Sequence, residues 1–343
     1  MSKAIPEGTV RLAIRDAARR GDAGEARPVG SSHDYDAIIV GGGPAGLSAA
    51  LVLGRCRRSV LVIDAGRPRN YAALRMHNYL SRDGIEPRRF LDLARRDLKP
   101  YDVRLLRGQV TSAGCVAGGF AVRVRGHKRV TSRMLLLATG VVDELPKVTS
   151  VSHFYGQGVH HCPYCDGWEY RNRPLGAYGL GNAGLGLAVN LLTWSRDITV
   201  ISDGQPPGRS GLRDADRLGI NVRIEKVDRL LSRRGKPSPS RGDPLGRVVF
   251  ENGDELRLDA LFFNTDQTQR SGLPARLGCR MNADGGVIHD KRQRTGVEGL
   301  YLAGDASVDV QFVIVAAAEG AKAGMAMNHD LQERERRLTT TKR

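Results

Sequence analysis

The segment from Cys162 to Asp166, which reads Cys-Pro-Tyr-Cys-Asp, holds the residue types and the spacing best suited to chemistry. Two cysteines separated by two residues can close into a disulfide and reopen as a dithiol, and this spacing lowers a thiol pKa, which favours the nucleophilic thiolate. A carboxyl group directly after the second cysteine can transfer the proton that such a cycle moves. We therefore predict that Cys162 and Cys165 form a redox-active pair and that Asp166 is its acid/base.

Metal binding by the same cysteines is a weaker interpretation. A structural zinc ion takes four ligands, and this segment offers one cysteine pair with His160 and His161 beside it. Attachment of a c-type haem requires a histidine directly after the second cysteine, where this chain has Asp166. We therefore predict no metal site. The two histidines would tune the thiol pKa values, line the site, or simply pack as structural residues.

A glycine-rich loop near the start of the chain has the setting of a dinucleotide-binding turn. The apolar run 36–40 predicts a buried strand, and residues 47–53 predict a helix. Residues 59–63 predict a second strand that ends at Asp64, an acid placed to accept hydrogen bonds from a ribose. Glycines in such a loop allow the backbone to approach a pyrophosphate at the helix N-terminus. The loop residues predicted to bind the cofactor are Gly41, Gly43, Pro44, Ala45 and Gly46.

A second loop of the same type follows the dithiol. Residues 175–179 predict a strand, and residues 182–194 predict a helix. Residues 197–202 predict another strand, which leads to an acid. A dithiol between two dinucleotide folds predicts a flavoprotein that passes electron pairs to or from sulfur. The residues predicted for a second nucleotide, NAD(P)H, are Gly179, Gly181, Asn182, Ala183, Gly184 and Asp203.

Length and composition limit the remaining classes. A chain of 343 residues is long enough for two domains. Residues 1–33 lack an apolar signal-peptide core and sustained periodicity, so we predict a disordered extension there. No apolar run reaches the roughly 18 residues that a membrane span needs, so no membrane partner is predicted. The five cysteines include one close pair, which favours a reducing cytoplasm over a disulfide-stapled secreted fold.

The net charge of +16 raises the alternative of nucleic-acid binding. The basic residues are scattered along the chain, and aromatic residues, at 5%, leave little for base stacking. We therefore predict no nucleic-acid partner. A basic surface would instead attract an acidic partner, such as an electron-donor protein, to a degree that depends on ionic strength.

Two further segments resemble known flavoproteins. Residues 299–305 are similar to the second FAD signature of the pyridine nucleotide-disulfide oxidoreductases, and residues 135–140 to their Ala-Thr-Gly motif. Over residues 34–332 the chain resembles the low-molecular-weight, thioredoxin-reductase-type (class II) members. The resemblance implies FAD as the cofactor, Cys165 beside the flavin as the charge-transfer thiolate, and Cys162 as the thiol that exchanges with substrate. The further residues that it implies for FAD are Asn70, His77, Gly140, Gly304, Asp305, Gln311 and Phe312.

Departures from the thioredoxin-reductase pattern concern the electron donor and the substrate. NADPH-dependent members carry a His-Arg-Arg-x-x-x-Arg cluster for the 2′-phosphate, whereas residues 202–208 here read Ser-Asp-Gly-Gln-Pro-Pro-Gly. If a nucleotide binds, NADH is favoured over NADPH, because Asp203 would repel a 2′-phosphate. Ferredoxin-dependent flavoproteins of this architecture also lack the cluster. Other segments resemble the dithiol oxidases that close the disulfides of gliotoxin and holomycin, and these segments are 64–70, 76–78, 83–84 and Tyr164.

We predict an α/β fold with two Rossmann-like dinucleotide-binding domains, the second inserted into the first. Residues 34–150 and 266–332 would form the FAD-binding domain, ending in a helix from residue 312 to 328, with 151–265 as the NAD(P)-type domain and 333–343 as a basic tail. The predicted function is FAD-dependent exchange of electrons between the cysteine pair and a protein or small-molecule disulfide. Two alternatives stay open: oxygen-dependent oxidation of a small dithiol, and a redox sensor without rapid turnover. The resemblance also implies a homodimer.

Overall fold

The computed structural model describes residues 33–237, 243–307 and 309–341. Except for its last residue, the extension predicted over 1–33 lies outside the described residues. Within them, no helix combines the length and the apolar character that a membrane span requires.

Strands and helices alternate along most of the chain. The strands are β1 (Tyr35–Val40), β2 (Val60–Asp64), β3 (Val103–Arg107), β4 (Val110–Val116), β5 (Gly119–Val124), β6 (Val130–Leu137), β7 (Val141–Asp143), β8 (Val159–His160), β9 (Leu175–Tyr178), β10 (Ile198–Ile201), β11 (Asn221–Arg223), β12 (Val227–Ser232), β13 (Leu245–Phe250), β14 (Glu255–Arg257), β15 (Ala260–Phe263), β16 (Gln267–Gln269) and β17 (Leu300–Leu302). The helices are α1 (Pro44–Arg55), α2 (Pro87–Asp97), α3 (Val151–Phe154), α4 (Pro163–Asp166), α5 (Asn182–Leu191), α6 (Arg209–Arg217), α7 (Leu273–Arg276) and α8 (Val313–Thr341), with 3₁₀ turns at Gly167–Tyr170 and Asp305–Ser307.

The first nucleotide fold is a sheet whose central strands are buried on both faces. Its parallel strands run in the order β3-β2-β1-β6, and β5 and β4 extend the sheet in antiparallel pairing. Such strands are apolar along their length, as the run from Ala37 to Val40 is. The late strand β17 returns to this sheet and pairs with the second half of β6, from Leu135 to Leu137. The first nucleotide fold is therefore completed by segments that lie far apart in the chain.

The second nucleotide fold is a parallel sheet of order β11-β10-β9-β15-β8. An antiparallel sheet, β12-β13-β14, is added between β11 and β15 in the chain. Strands β7 and β16 pair where the chain enters and leaves this fold. The prediction of an α/β architecture with the second Rossmann-like unit inserted into the first is therefore confirmed.

The C-terminal helix α8 is longer than the sequence predicted. It continues through residues 333–341, the segment predicted as a basic tail beyond the FAD-binding domain. Glu335 accepts hydrogen bonds from Arg58 and Arg133 at 2.6 and 2.7 Å, which fasten the last turns of the helix to the first sheet. Arginine, glutamate and glutamine are also good helix formers, so the polar sequence continues the helix instead of ending it.

Helix α8 packs along helix α1. Small residues, among them Ala45 on α1 and Ala316 and Ala323 on α8, belong to one buried cluster. Small side chains at the contact allow two helices to lie close together. The packing brings Gln311 and Phe312, which precede α8, to the same cavity as the glycine-rich loop that begins α1.

Candidate active site

A cavity lies at the carboxyl ends of β1, β6 and β17, against the first glycine-rich loop. Gly41 has a φ of +113°, and a Cβ at this position would lie 2.1 Å from the Ala138 carbonyl oxygen, so only glycine fits. A Cβ on Gly46 would lie 1.9 Å from the Gly41 carbonyl oxygen. Both glycines therefore allow the loop to pack tightly against the sheet, with the N-terminus of α1 facing the cavity.

The cavity brings together nearly all residues that were predicted to bind FAD. Gly46 is the exception, because it is buried between loop and strand and is not part of the cavity wall. Their roles in binding stay a prediction. The predicted residues that line the cavity are Gly41, Gly43, Pro44, Ala45, Asp64, Asn70, His77, Gly140, Gly304, Asp305, Gln311 and Phe312.

The cavity wall offers space and an unused polar group to a flavin nucleotide. A Cβ at Gly43 or Gly140 would meet no atom within 4 Å, so the backbone at both positions faces open space. The Thr139 hydroxyl is buried on the same wall and has no hydrogen-bond partner among the described residues. A buried unpaired hydroxyl is unfavourable unless a ligand completes it. These residues therefore fit FAD, which when bound would supply a two-electron acceptor beside the dithiol.

A buried ionic cluster crosses the cavity wall. Arg69 Nε and Nη2 donate to Asp143 at 2.9 and 2.5 Å, and Nη1 donates to Asp305 at 2.9 Å. Burial would raise the pKa of Asp143, but Arg69, His161 and the Tyr155 hydroxyl hold that pKa below its ordinary value. Asp143 is therefore ionised. The sequence did not reveal this cluster, because Arg69 lies 74 residues from one partner and 236 from the other.

The two predicted redox cysteines form a disulfide at the cavity. Cys162 and Cys165 are bonded to each other across the short helix α4, with their Cα atoms 5.3 Å apart. Cys162 precedes this helix, and its Sγ accepts a hydrogen bond from the Cys165 N–H at 3.2 Å. Cys165 is part of the cavity wall and Cys162 is not. The roles predicted for the two sulfurs, Cys165 beside the flavin and Cys162 in exchange with substrate, stay a prediction.

Asp166 pairs with His160 and makes no side-chain capping bond. His160 Nδ1 lies 3.2 Å from Asp166 Oδ1, and His160 Nε2 accepts a hydrogen bond from the Gly158 N–H at 3.1 Å. Because a backbone N–H can only donate, the ring proton is on Nδ1 and is donated to the carboxylate. Burial would raise the pKa of Asp166, but His160, His161 and His77 together hold it below its ordinary value. Asp166 is therefore ionised at neutral pH and able to accept a proton.

A loop of the first fold, residues 76–84, contacts the disulfide segment. Asn78 Nδ2 donates to the Tyr164 carbonyl at 2.8 Å, and His77 Nε2 lies 3.5 Å from a carboxylate oxygen of Glu169. The Tyr164 ring, which is 66% exposed, lies edge-on to Phe312 with 6.5 Å between centroids. These contacts join the disulfide segment to the first fold and keep its second cysteine at the cavity.

The second glycine-rich loop differs from the first because two of its polar groups are hydrogen-bonded within the chain. The Gly181 N–H donates to the Gln205 carbonyl at 2.7 Å, and Asn182 Oδ1 accepts a hydrogen bond from the Gly208 N–H at 3.2 Å. A dinucleotide pyrophosphate would need backbone donors at this turn. Of the other residues predicted here, Gly179 directly follows β9, and Ala183 and Gly184 lie in the first turn of α5.

Asp203, predicted to accept hydrogen bonds from a ribose, is already bonded within the second fold. Its Oδ2 accepts from the Tyr178 hydroxyl at 2.6 Å, and its Oδ1 accepts from the Val227 N–H at 2.8 Å. Each carboxylate oxygen therefore has a partner in the protein. In the described arrangement Gln205 therefore takes one backbone donor of the loop, and the protein takes one position on each oxygen of Asp203, although a Cβ at Gly181 would meet no atom within 4 Å.

An open, glycine-lined cavity beside a disulfide defines a flavin-type disulfide oxidoreductase. The chain belongs to the pyridine nucleotide-disulphide oxidoreductase family, whose model matches residues 35–320. Membership of this family implies FAD and a nicotinamide cofactor.

Relatives within the family narrow the class. The chain is 32% identical to a probable thioredoxin reductase of Arthroderma benhamiae, over 83% of this chain and 77% of the relative. It is 31% identical to the thioredoxin reductase tcpT of Claviceps purpurea, over 88% of this chain and 95% of the relative. The crystal structure of HlmI superposes with a TM-score of 0.84 at 30% identity, covering 91% of this chain and 98% of HlmI. The protein is therefore a thioredoxin reductase-like, FAD-dependent oxidoreductase.

Proposed function

We propose that this protein oxidises a small dithiol to a disulfide, with FAD as the electron acceptor and oxygen as the final oxidant. One contrast carries the proposal. The disulfide stands beside an open flavin-type cavity, whereas the Gln205 carbonyl already takes the Gly181 N–H in the loop where a nicotinamide nucleotide would bind. An enzyme that takes no electrons from a nucleotide can take them from a thiol substrate.

The cysteines and Asp166 supply the exchange chemistry. A substrate thiolate attacks Cys162 Sγ, the bond between the two cysteines breaks, and the electron pair leaves on Cys165 Sγ at the cavity wall. The second substrate thiolate then attacks the first substrate sulfur and displaces Cys162. The products are a substrate disulfide and two cysteine thiolates, so the dithiol has lost two electrons and two protons.

The ionised state of Asp166 suits the first step of this direction. An ionised carboxylate beside the disulfide can accept the proton of an incoming thiol, which makes the thiol a nucleophile. In the reverse direction, reduction of a substrate disulfide, the same carboxyl would return that proton to the leaving thiolate. His160 orients the carboxylate through its Nδ1–H and is a positioning residue.

Anaerobic mixing of the yellow protein with different electron donors tests this function. Dithiothreitol, a model dithiol, should bleach the flavin, whereas NADPH should not and NADH should do so slowly if at all. Each charge-assisted contact missing from the 2′-phosphate site weakens binding by about 1.5–3 kcal/mol, or roughly ten- to a hundredfold or more in affinity. Rapid bleaching by NADPH would contradict the proposal and would mean that Arg209 or Arg213 is recruited to the phosphate.

A second candidate function is reduction of a disulfide with electrons from an acidic donor protein. It is supported by the net charge of +16 and by relatives named thioredoxin reductase. The same mixing experiment separates the two candidates. A flavin that neither dithiothreitol nor either nucleotide bleaches, but that a reduced ferredoxin does, would favour this second function.

The proposal includes the cellular location, the oligomeric state and the domain division of the protein. A single close cysteine pair supports a reducing cytoplasm. The homodimer follows from the resemblance to thioredoxin reductases. We divide the chain into an FAD domain over 34–150 and 266–332 and a second domain over 151–265, because the two large sheets separate near these positions.

A further inference from the structure

A chain of hydrogen bonds leads from the cavity wall into the protein at His161. The Tyr155 hydroxyl oxygen lies 3.1 Å from His161 Nδ1 and 3.0 Å from Asp143 Oδ2. His161 lines the cavity together with Cys165. The chain of hydrogen bonds therefore links a histidine that precedes Cys162 in the sequence, and that shares the cavity wall with Cys165, to a buried carboxylate.

The charges in this chain decide which ring nitrogen of His161 carries the proton. Arg69 keeps Asp143 ionised, so the carboxylate can only accept a hydrogen bond, and the Tyr155 hydroxyl donates to it. The hydroxyl has one hydrogen, so its oxygen can only accept from the other side, and His161 Nδ1 must carry the ring proton. His161 Nε2 is then the unprotonated nitrogen and carries the ring's lone pair. The exchange chemistry described above leaves this base unused.

We propose that His161 is a second proton acceptor in the dithiol reaction and that Tyr155 and Asp143 position it. Nε2 takes the proton of one substrate thiol, and the Asp166 carboxylate takes the proton of the other. The positive charge gained by the imidazole is balanced through the Tyr155 hydroxyl by the Asp143 carboxylate. The inference rests on the proposed oxidation of a dithiol at the disulfide.

With these two bases, every proton and electron pair that leaves the substrate dithiol has an acceptor on the enzyme. The first thiolate forms a bond to Cys162 Sγ as the disulfide breaks, and the electron pair passes to Cys165 Sγ. The second thiolate forms the substrate disulfide as Cys162 leaves with the other electron pair. Both substrate protons end on the enzyme, one on His161 and one on Asp166.

The groups around His161 make it a base at neutral pH. Burial lowers the pKa of His161, and the positive charges of Arg69 and His160 lower it further. The carboxylates of Asp143 and Asp166 raise it, but the net result is a pKa below the ordinary value of 6.5. The neutral form, which accepts protons, is populated above that pKa. Turnover should therefore rise with pH through an inflection below 6.5 and then level off.

Oxidation of dithiothreitol across the pH range tests the proposal on the FAD-loaded protein. His161→Gln should lower turnover roughly 10²- to 10⁴-fold and remove the inflection, because an amide cannot take up the proton. FAD content should stay unchanged. His153→Gln is the matched control, since His153 lies exposed on α3 and contacts the Pro237 carbonyl oxygen away from the cavity, and it should behave as wild type.

A second variant keeps the test decisive if His161→Gln loses FAD. Tyr155→Phe retains the ring but removes the hydroxyl that joins His161 to Asp143, so the inflection should move to lower pH and turnover should fall several-fold. Wild-type inflections in both variants, with rates within a few-fold of wild type, would overturn the proposal. A wild-type protein that oxidises no dithiol would instead contradict the proposed direction of the reaction. The role of His161 would then be tested in the reverse direction, where His161→Gln should slow the reduction of a substrate disulfide by protein whose cysteine pair has first been reduced.

Discussion

Serine at either redox cysteine should reduce dithiol turnover to background while FAD content stays unchanged. Cys162→Ser removes the sulfur that the substrate attacks, and Cys165→Ser removes the sulfur at the cavity wall. Neither variant can form the disulfide, and removal of a nucleophile typically lowers kcat by roughly 10⁶-fold. Steady-state oxidation of dithiothreitol measures the loss. Cys56→Ser is the matched control, because Cys56 is an exposed free cysteine, and it should retain wild-type turnover.

The two cysteine variants should differ from each other in the visible spectrum. Cys162→Ser leaves the Cys165 thiolate at the cavity, so a broad long-wavelength band is expected beside the flavin absorbance. Cys165→Ser should lack this band, and its Cys162 thiolate should attack the disulfide form of the substrate and keep one of its sulfurs as a mixed disulfide, which mass spectrometry detects. A band that appears only in Cys165→Ser would reverse the two roles.

Asp166→Asn should lower turnover by roughly 10²- to 10⁴-fold, because asparagine cannot exchange a proton. Its amide oxygen can still accept the hydrogen bond from His160 Nδ1–H, so the local geometry is preserved. Asp166 makes no side-chain capping bond in the structure, and Cys162 is the residue that caps helix α4. A structural capping role is therefore a poor explanation for a large loss.

The control for Asp166→Asn is the same change at an exposed aspartate. Asp214 on α6 pairs with Arg217 on the surface, and Asp214→Asn should keep both FAD and activity. Rates measured from pH 6 to 9 complete the comparison. An Asp166→Asn protein within a few-fold of wild type over this range would assign the proton transfer to His161 alone.

The parts of the site that the sequence predicted are those whose residues lie next to each other in the chain. The turn from Gly41 to Gly46 requires glycine for reasons of backbone geometry, so the residues themselves indicate the fold. The dithiol is equally local, because Cys162 and Cys165 flank one short helix. The glycine-rich turn and the dithiol meet at one cavity, although their separation in the sequence did not by itself require this.

The parts that the sequence did not predict depend on distant partners. Arg69 and Asp143 come together only when β7 reaches the cavity. Asp203 follows a strand, as the acid of a nucleotide fold does, but Tyr178 and Val227 occupy its two oxygens in the folded chain. The length of α8 likewise depends on Glu335 meeting arginines of the first fold. For the partners of Arg69 and Asp203, no local pattern carries this information.

Oxygen uptake by the wild-type protein, supplied with dithiothreitol and no nucleotide, is the most direct test of dithiol oxidation at this site. We predict that uptake begins on addition of the dithiol, that one molecule of oxygen is consumed for each disulfide formed, and that NADH or NADPH leaves the rate unchanged. The stoichiometry follows because each disulfide releases one electron pair. Oxygen uptake that starts only when NADH or NADPH is added would contradict the proposal and would assign the electrons to the second nucleotide fold.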